Sequence, residues 1–174
     1  MGRRIAWPRG KLLGGSGSTN AMVYMRGSPS DYDRWAAKGC PGWSWNDVLP
    51  WFRKSENNPR LGGSPTHGDS GELLIVDVPQ HDPAEKLWVE AAQEYGLPYN
   101  PDFNSGEQFG CGFFQVFMKD GERHGPATAF LDPVRTRPNL TVITSSYVTR
   151  IIVENAIARG VTFLHDGQPQ TAYA

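Results

Sequence analysis

The chain has 174 residues, of which 39% are apolar, and its seventeen basic and eighteen acidic residues leave a formal net charge of −1. This length allows one full hydrophobic core, or one domain with part of another. The balanced charge argues against a protein that binds nucleic acid or another polyanion, and no block of like charges forms a tail.

Cysteine usage and hydropathy argue against a zinc protein and against a transmembrane segment. Cys40 and Cys111 belong to no Cys/His cluster, which argues against a zinc site and favours buried thiols in a reducing compartment, with a disulfide as the alternative. No apolar run reaches the roughly 18 residues of a membrane helix. Residues 1–10 are basic but contain no apolar segment, unlike a signal peptide. We therefore expect a cytoplasmic protein without a transmembrane segment.

The N-terminal third predicts a glycine loop followed by two helices. Residues 1–27 indicate an extended segment, a glycine-rich loop and a short apolar stretch. Serine caps predict helices over 28–39 and from Ser44 to about Glu56, and Pro50 should kink the second. Four tryptophans crowd into this region, where they either pack in a core or line a substrate site. They are Trp35, Trp43, Trp45 and Trp51.

A third helix carries the strongest local signals. Asp82 is the predicted N-cap, Pro83 stands at the first helical position, and Glu85 completes a capping box. Gly96 ends the helix. One apolar face follows at helical spacing, and we assign its tryptophan to the core. The face comprises Leu87, Trp88, Ala91, Ala92 and Tyr95.

The remaining segments predict loops and strands. Residues 57–71 are rich in turn formers, so His67 is expected to be solvated, and a short helix is expected over 126–131. Asp166-Gly167 is a strong hairpin signal. Five strands are expected in "GELLIVDVP", "CGFFQVFM", "NLTVIT", "SYVTRIIVEN" and "AIARGVTFLHDG".

The stretch "KLLGGSGSTNAMVYMRG" resembles a phosphate-binding loop but departs from both common types. A dinucleotide fingerprint GxGxxG would need glycine at Asn20, and Pro8 and Gly10 interrupt the strand that should precede it. No GK[ST] follows at the P-loop spacing. Two interpretations remain open: a surface turn, or a loop whose glycines let the backbone approach a large flat ligand.

Three further side chains are functional candidates. His124 precedes a helix and either points into an active-site cleft or lies exposed in a loop. Arg123 and Arg150 could bind an anion, although a surface position at a strand edge is the alternative for Arg150.

The same glycine stretch, continued to "SPSDYD", resembles the first signature of the glucose-methanol-choline (GMC) oxidoreductases. Further segments resemble the family in the same order, and the similarity is greatest to its choline and alcohol dehydrogenase branch. They are "GWSWNDVLPWFRKSENN", "FNSGEQFGCGFFQV" and "RPNLTVITSSYVTRIIVENAIARGVTF".

This resemblance implies an α+β fold: part of an FAD-binding GMC-type fold with part of an antiparallel-sheet substrate domain. It divides the chain into an FAD-contacting loop and lid segment (1–60), part of the substrate domain (61–138), and truncated strands that return to the FAD domain (139–174). It also implies FAD as cofactor and residues that contact it. These are Leu13, Gly14, Ser16, Asn20, Ala21, Met22, Val23 and, through its backbone, Val148.

Thr19 departs from the family pattern. Some members carry a histidine there that bonds covalently to the flavin, so the resemblance implies non-covalent FAD here. The family's GxGxxG lies upstream of this signature and its catalytic histidine far downstream, and none of the four histidines of this chain matches that position. They are His67, His81, His124 and His165.

The sequence therefore predicts a fragment of an FAD-dependent enzyme that oxidises an alcohol or choline-like substrate to the carbonyl. The chain alone is expected to be inactive. The alternative is a non-catalytic binding or structural module that reuses this segment. A structure that fully covers the apolar faces of 73–78 and 148–164 would contradict the fragment hypothesis.

Overall fold

A computed structural model describes residues 2–174 of the chain. It consists of two compact units, Met1–Pro133 and Val134–Ala174. The first combines three helices with a small mixed sheet, and the second is an antiparallel sheet, in agreement with the predicted α+β class.

The three predicted helices are confirmed, each starting at the expected cap. They are α1 (Pro29–Ala37), α2 (Trp45–Ser55) and α3 (Pro83–Glu94). Each has a capping box, in which the N-cap side chain and an acidic side chain three residues later bond each other's backbone N–H groups. The pairs are Ser28 with Asp31, Ser44 with Asp47, and Asp82 with Glu85.

The sheet of the first unit has the order β1-β2-β3-β4, with β1 parallel to β2 and the other neighbours antiparallel. Its centre is the pair β2–β3, where Ile75 lies opposite Phe117 and is 0% exposed. The chain then continues through short helical turns over Ala127–Leu131 and Asp132–Val134. The strands are β1 (Glu56–Asn57), β2 (Leu73–Asp77), β3 (Gln115–Lys119) and β4 (Glu122–Arg123).

The aromatic residues of α1 and α2 pack mainly against one another. Buried Tyr32 contacts the rings of Trp35, Trp45 and Phe52 at centroid distances of 5.4 to 5.7 Å. Trp51 lies outside this cluster and is exposed. Trp35 and Trp43 are 47% and 52% exposed, and Trp45 is only partly buried. The core-packing interpretation is therefore wrong for these tryptophans, because the described residues bury only the central Tyr32 of the cluster.

The predicted core face of α3 is wrong. Val89 is the residue that α3 buries, whereas Trp88 is 79% exposed, and Leu87 and Tyr95 are exposed as well. No element of the described residues covers this face. Helical spacing predicts which residues share an apolar face, but it does not show whether another element packs against that face.

The second unit is a three-stranded meander of the order β5-β6-β7. The predicted strand "NLTVIT" is wrong, because residues 139–144 join no ladder and form no strand. Both hairpin turns have two central residues with positive φ, as a type I′ turn requires. The turns are Asn155-Ala156 and Asp166-Gly167, and the strands are β5 (Ser146–Glu154), β6 (Ile157–His165) and β7 (Gln168–Tyr173).

Neither of the two apolar strand faces is fully covered. In β2 only Ile75 is fully buried, and in β5 most side chains are exposed, including Val148 at 50%. The partial burial expected from the sequence is therefore confirmed for both faces. Across residues 2–174, no helix is long and apolar enough to cross a membrane.

Candidate functional site

The glycine loop, residues 10–20, holds its shape through its own side chains. The Gly15 N–H donates to the Leu12 carbonyl at 2.9 Å, which starts the tight turn over Gly15–Ser18. Ser16 Oγ accepts from the Gly10 N–H at 3.1 Å, and Ser18 Oγ donates to the Leu13 carbonyl at 2.8 Å. Hydroxyl groups that could have reached a ligand therefore stabilise the loop itself.

After the loop, residues 20–24 form an extended strip that runs along β3. The Tyr24 N–H donates to the Gln115 carbonyl at 2.9 Å, and the Phe117 N–H donates to the Met22 carbonyl at 3.1 Å. Met22 has a φ of 63°, and its N–H donates to Asn20 Oδ1 at 3.0 Å. A left-handed conformation costs a non-glycine residue roughly 1–2 kcal/mol, so its contacts must hold this turn in place.

The strip borders an open apolar groove of about 630 Å³. Ala21 and Val23 line one side of it, and Val23 is 42% exposed. Trp88 of α3 lies at the groove, together with His81, whose ring stacks on Phe113 at 3.8 Å. This volume is in the range of small-molecule and cofactor sites, which span roughly 300–1,000 Å³.

Seven of the eight predicted cofactor contacts lie together in the loop and strip of the first unit. They are Leu13, Gly14, Ser16, Asn20, Ala21, Met22 and Val23. Val148 lies on β5 of the second unit, opposite Phe163 and beside a bulge between Val148 and Arg150. The role of all eight stays a prediction.

Directly behind the strip lies a cluster of buried polar side chains that the sequence did not reveal. Arg26 is buried and pairs with Glu56, which is 0% exposed. Glu56 also accepts from Asn58 Nδ2 at 2.9 Å, and Asn58 Nδ2 donates to Gln115 Oε1 at 2.8 Å. We refer to Arg26, Glu56, Asn58, His67 and Gln115, together with the partly exposed Asp102, as the buried polar cluster.

His67 is the centre of this cluster, and the expectation that it is solvated is wrong. Its ring is 0% exposed, with Nδ1 2.7 Å from Glu56 Oε1 and Nε2 3.0 Å from Asp102 Oδ2. Burial by itself would lower the pKa of His67, but the hydrogen bonds and charges of the two carboxylates outweigh it and raise the pKa to about 9. The imidazolium in turn holds the pKa of Asp102 below its ordinary value against the opposing effect of burial.

Asn104 links the buried polar cluster to the backbone at the end of the strip. Asn104 Oδ1 accepts from the Arg26 N–H at 2.7 Å, and Asn104 Nδ2 donates to the Tyr24 carbonyl at 3.1 Å. The Asn104 N–H donates to Asp102 Oδ1 at 2.9 Å. Partners 78 to 80 residues apart lie in no common motif, so no local pattern could have indicated these bonds.

The side chains of His124 and Arg123 do not lie free in an exposed loop, because each forms hydrogen bonds to other segments. His124 Nδ1 accepts from the Leu74 N–H at 3.2 Å, which requires a neutral ring, and burial lowers the pKa of His124. Arg123 donates to the Gly17 carbonyl and to Asn20. Both side chains therefore bond within the first unit.

Comparison with known proteins shows the family of the chain. The family profile described as GMC oxidoreductase matches residues 1–174. The chain is 42% identical over 168 residues to an alcohol dehydrogenase [acceptor] of Pseudomonas putida, a match covering 97% of this chain and 30% of that protein. It is 38% identical over 171 residues to the mitochondrial choline dehydrogenase of Mus musculus, covering 98% and 28%.

A solved structure shares the fold. The chain superposes on an FAD-dependent oxidoreductase from Chaetomium thermophilum with a TM-score of 0.84 and 32% identity, covering 95% of this chain and 31% of that one. The glycine loop, the exposed strip and the apolar groove thus belong to a chain that shares its fold with a segment of a flavoprotein. The chain belongs to the GMC oxidoreductase family, which implies FAD as cofactor, and it spans about 30% of the length of its relatives.

Proposed function

We propose that the chain is the flavin-contacting segment of a longer FAD-dependent oxidoreductase that acts on CH–OH donors. The substrate would be an alcohol or a choline-like compound, oxidised to the carbonyl. The relatives that support this assignment are named alcohol dehydrogenase and choline dehydrogenase, and this chain covers 30% and 28% of their lengths. The activity thus belongs to the whole protein.

The observation that carries the proposal is the exposed strip at the rim of an apolar groove. Met22 adopts a left-handed φ of 63° in this strip, and strained backbone of this kind concentrates at functional sites. Ala21 and Val23 reach the groove while the Met22 carbonyl bonds to β3. A flat ring system fits against such a surface, because small side chains and rigid backbone let it approach closely.

These residues also fit the cofactor that the family implies. Ala21, Met22 and Val23 would lie along the flavin, and Gly14 and Ser16 would approach the diphosphate through their backbone. Val148 would present its backbone to the adenine. Leu13 and Asn20 would complete the contact on either side of the turn over Gly15–Ser18.

We propose that FAD is held without a covalent bond. Thr19 occupies the position at which some family members carry the linking histidine. Thr19 is exposed, and its hydroxyl lies 3.4 Å from the Ser16 carbonyl. A threonine hydroxyl lacks the ring nitrogen that forms the link, so binding would rest on shape, hydrogen bonds and apolar contact.

When bound, the flavin supplies the redox chemistry by accepting a hydride from the alcohol carbon. The residues of this chain bind and orient the cofactor and keep the groove beside it apolar. The group that takes the hydroxyl proton would lie outside the 174 residues. His67 and His124 do not fit that role here, because both ring systems are committed to buried or half-buried hydrogen bonds.

The test uses the full-length protein that contains this chain. Purified protein is expected to carry flavin absorbance and to reduce a dye acceptor with choline or a simple primary alcohol. Denaturation followed by filtration should release all of the flavin into the filtrate. Flavin that stays with the polypeptide would contradict the non-covalent proposal.

A pair of variants links the result to the strip. Ala21→Leu adds bulk at the groove and is expected to lower flavin content or turnover, because a well-packed contact does not tolerate added methylenes. Ala37→Leu adds the same bulk at the exposed end of α1 and should leave both unchanged. Colourless full-length protein without turnover would refute the proposal and favour the non-catalytic module.

A further inference from the structure

Arg123 reaches from β4 across the first unit to the glycine loop, more than 100 residues away in sequence. Its Nη1 donates to the Gly17 carbonyl at 3.1 Å and to Asn20 Oδ1 at 2.8 Å, and its Nη2 donates to the Asn20 carbonyl at 2.6 Å. The guanidinium lies 5.9 Å from the centre of the Phe117 ring. Bonds from a charged donor are stronger than neutral ones, and the planar fork fixes their direction.

The residues after Arg123 form a wall against the back of the same loop. A Cβ added to Gly17 would lie 2.6 Å from Pro126 Cδ, and one added to Gly125 would lie 3.2 Å from the Gly17 carbonyl oxygen. A Cβ on Gly14 would lie 3.2 Å from Ala127 Cβ. The close approach of Pro126 therefore requires glycine at position 17. At position 14, a Cβ would also clash with Ser18 Oγ of the loop itself.

Asn20 joins the arginine to the strained turn. Asn20 Oδ1 accepts from Arg123 Nη1 and also from the N–H of Met22, the residue with a φ of 63°. One oxygen therefore receives both bonds, and the position of the Asn20 side chain depends on Arg123. Loss of the guanidinium would free Asn20 to rotate and remove the bond that favours the left-handed turn at Met22.

We propose that Arg123 is a positioning residue that holds the Asn20–Met22 turn in the shape that receives the flavin. The inference rests on the proposed function and deepens it. Arg123 acts through the Gly17 and Asn20 carbonyls and the Asn20 side chain rather than as an anion site, since its donors are directed at loop oxygens. Its contribution is expected in cofactor affinity and in the order of the loop.

The test compares Arg123→Ala, Arg123→Lys and the control Arg159→Ala, an exposed arginine on β6. In the full-length protein, Arg123→Ala is expected to raise the dissociation constant of FAD by roughly tenfold or more, given the strength of charge-assisted hydrogen bonds. Arg123→Lys keeps the charge without the fork and should lie between the two. The lysine variant also serves if the alanine variant fails to fold.

A second readout is independent of cofactor binding. Hydrogen exchange in the cofactor-free protein should speed up in amides of residues 14–22 in Arg123→Ala, while exchange in β2 and β3 stays as in the wild type. Asn20→Asp keeps both acceptor bonds to one carboxylate and should preserve the slow exchange, whereas Asn20→Ala should not. The loss of FAD affinity in the double variant Arg123→Ala/Asn20→Ala should be smaller than the sum of the losses in the two single variants, because the two side chains act through one shared bond.

The outcomes separate the two proposals. FAD affinity and loop exchange in Arg123→Ala that match Arg159→Ala would overturn the positioning role. Faster exchange throughout the first unit would do the same, because it would show a general loss of stability. A wild-type protein that binds no flavin would refute the proposed function, and the exchange of residues 14–22 alone would then decide whether Arg123 holds the turn.

Discussion

The buried imidazolium of His67 predicts a specific pH dependence of stability. His67 lies between Glu56 and Asp102 with no exposed surface, and its pKa in the folded protein is about 9 against an ordinary value of 6.5. A group whose pKa is raised by folding contributes its full stabilisation below the unfolded value. That stabilisation is lost as the pH rises through the folded value, so the window of loss lies between about pH 6.5 and 9.

The magnitude follows from the size of the shift. A difference between about 9 and 6.5 corresponds to about 3 kcal/mol of unfolding free energy. The other charges near the ring act on its partners: Arg26 pairs with Glu56, and Arg60 lowers the pKa of Asp102. Neither changes charge in this window, since arginine stays protonated. The protonation of His67 itself is therefore the expected source of the change.

Denaturant unfolding followed by tryptophan fluorescence measures this effect. All six tryptophans lie between residues 7 and 88, so the signal reports on the first unit, which contains His67. The wild type should lose about 3 kcal/mol between pH 6.5 and 9, whereas His67→Gln should start less stable and stay nearly flat. His165→Gln changes a histidine of the second unit and should keep the wild-type slope. If His67→Gln retains the full slope, the assignment of this pH dependence to His67 is refuted.

Two further substitutions test the packing beneath the candidate site. Gly17→Ala places a Cβ 2.6 Å from Pro126 Cδ and should cost about 1–3 kcal/mol in denaturant unfolding, whereas Gly2→Ala, with no atom within 4 Å, should cost nothing measurable. Ile75→Ala removes a side chain that is 0% exposed and should cost about 2–5 kcal/mol by the same assay. Ile157→Ala, at a side chain that is 50% exposed, should cost far less, and equal losses would contradict the assigned core.

The elements with local signals could be predicted from the sequence. The helices α1, α2 and α3 start where serine or aspartate is followed by an acidic residue three positions later, since a capping box involves only four consecutive residues. The hairpin turn at Asp166-Gly167 is equally local. The resemblance to a family then supplied the cofactor and the candidate contacts, which spacing alone left undecided.

The errors concern contacts between distant segments. His67 lies in a stretch of turn formers, yet its buried ring is stabilised by a hydrogen bond to Asp102, 35 residues further along the chain. The stripe on α3 predicted burial of Trp88, but burial depends on what lies against the helix. The stretch 139–144 has strand composition without a ladder partner. The sequence pattern indicates which secondary structure and which buried face a segment prefers. Contacts with distant segments decide whether the folded protein adopts them.

The glycines of "LGGSGSTN" illustrate how a motif can have several physical causes at once. Gly14 has a φ of 83°, so its conformation favours glycine, whereas Gly17 faces Pro126 too closely for any Cβ. Neither requirement involves a phosphate. The loop is shaped from behind by the segment that begins at Arg123, and that shape leaves the strip free at the groove. A glycine-rich stretch therefore indicates cofactor contact only for those glycines that backbone conformation and packing on the other face of the loop do not already explain.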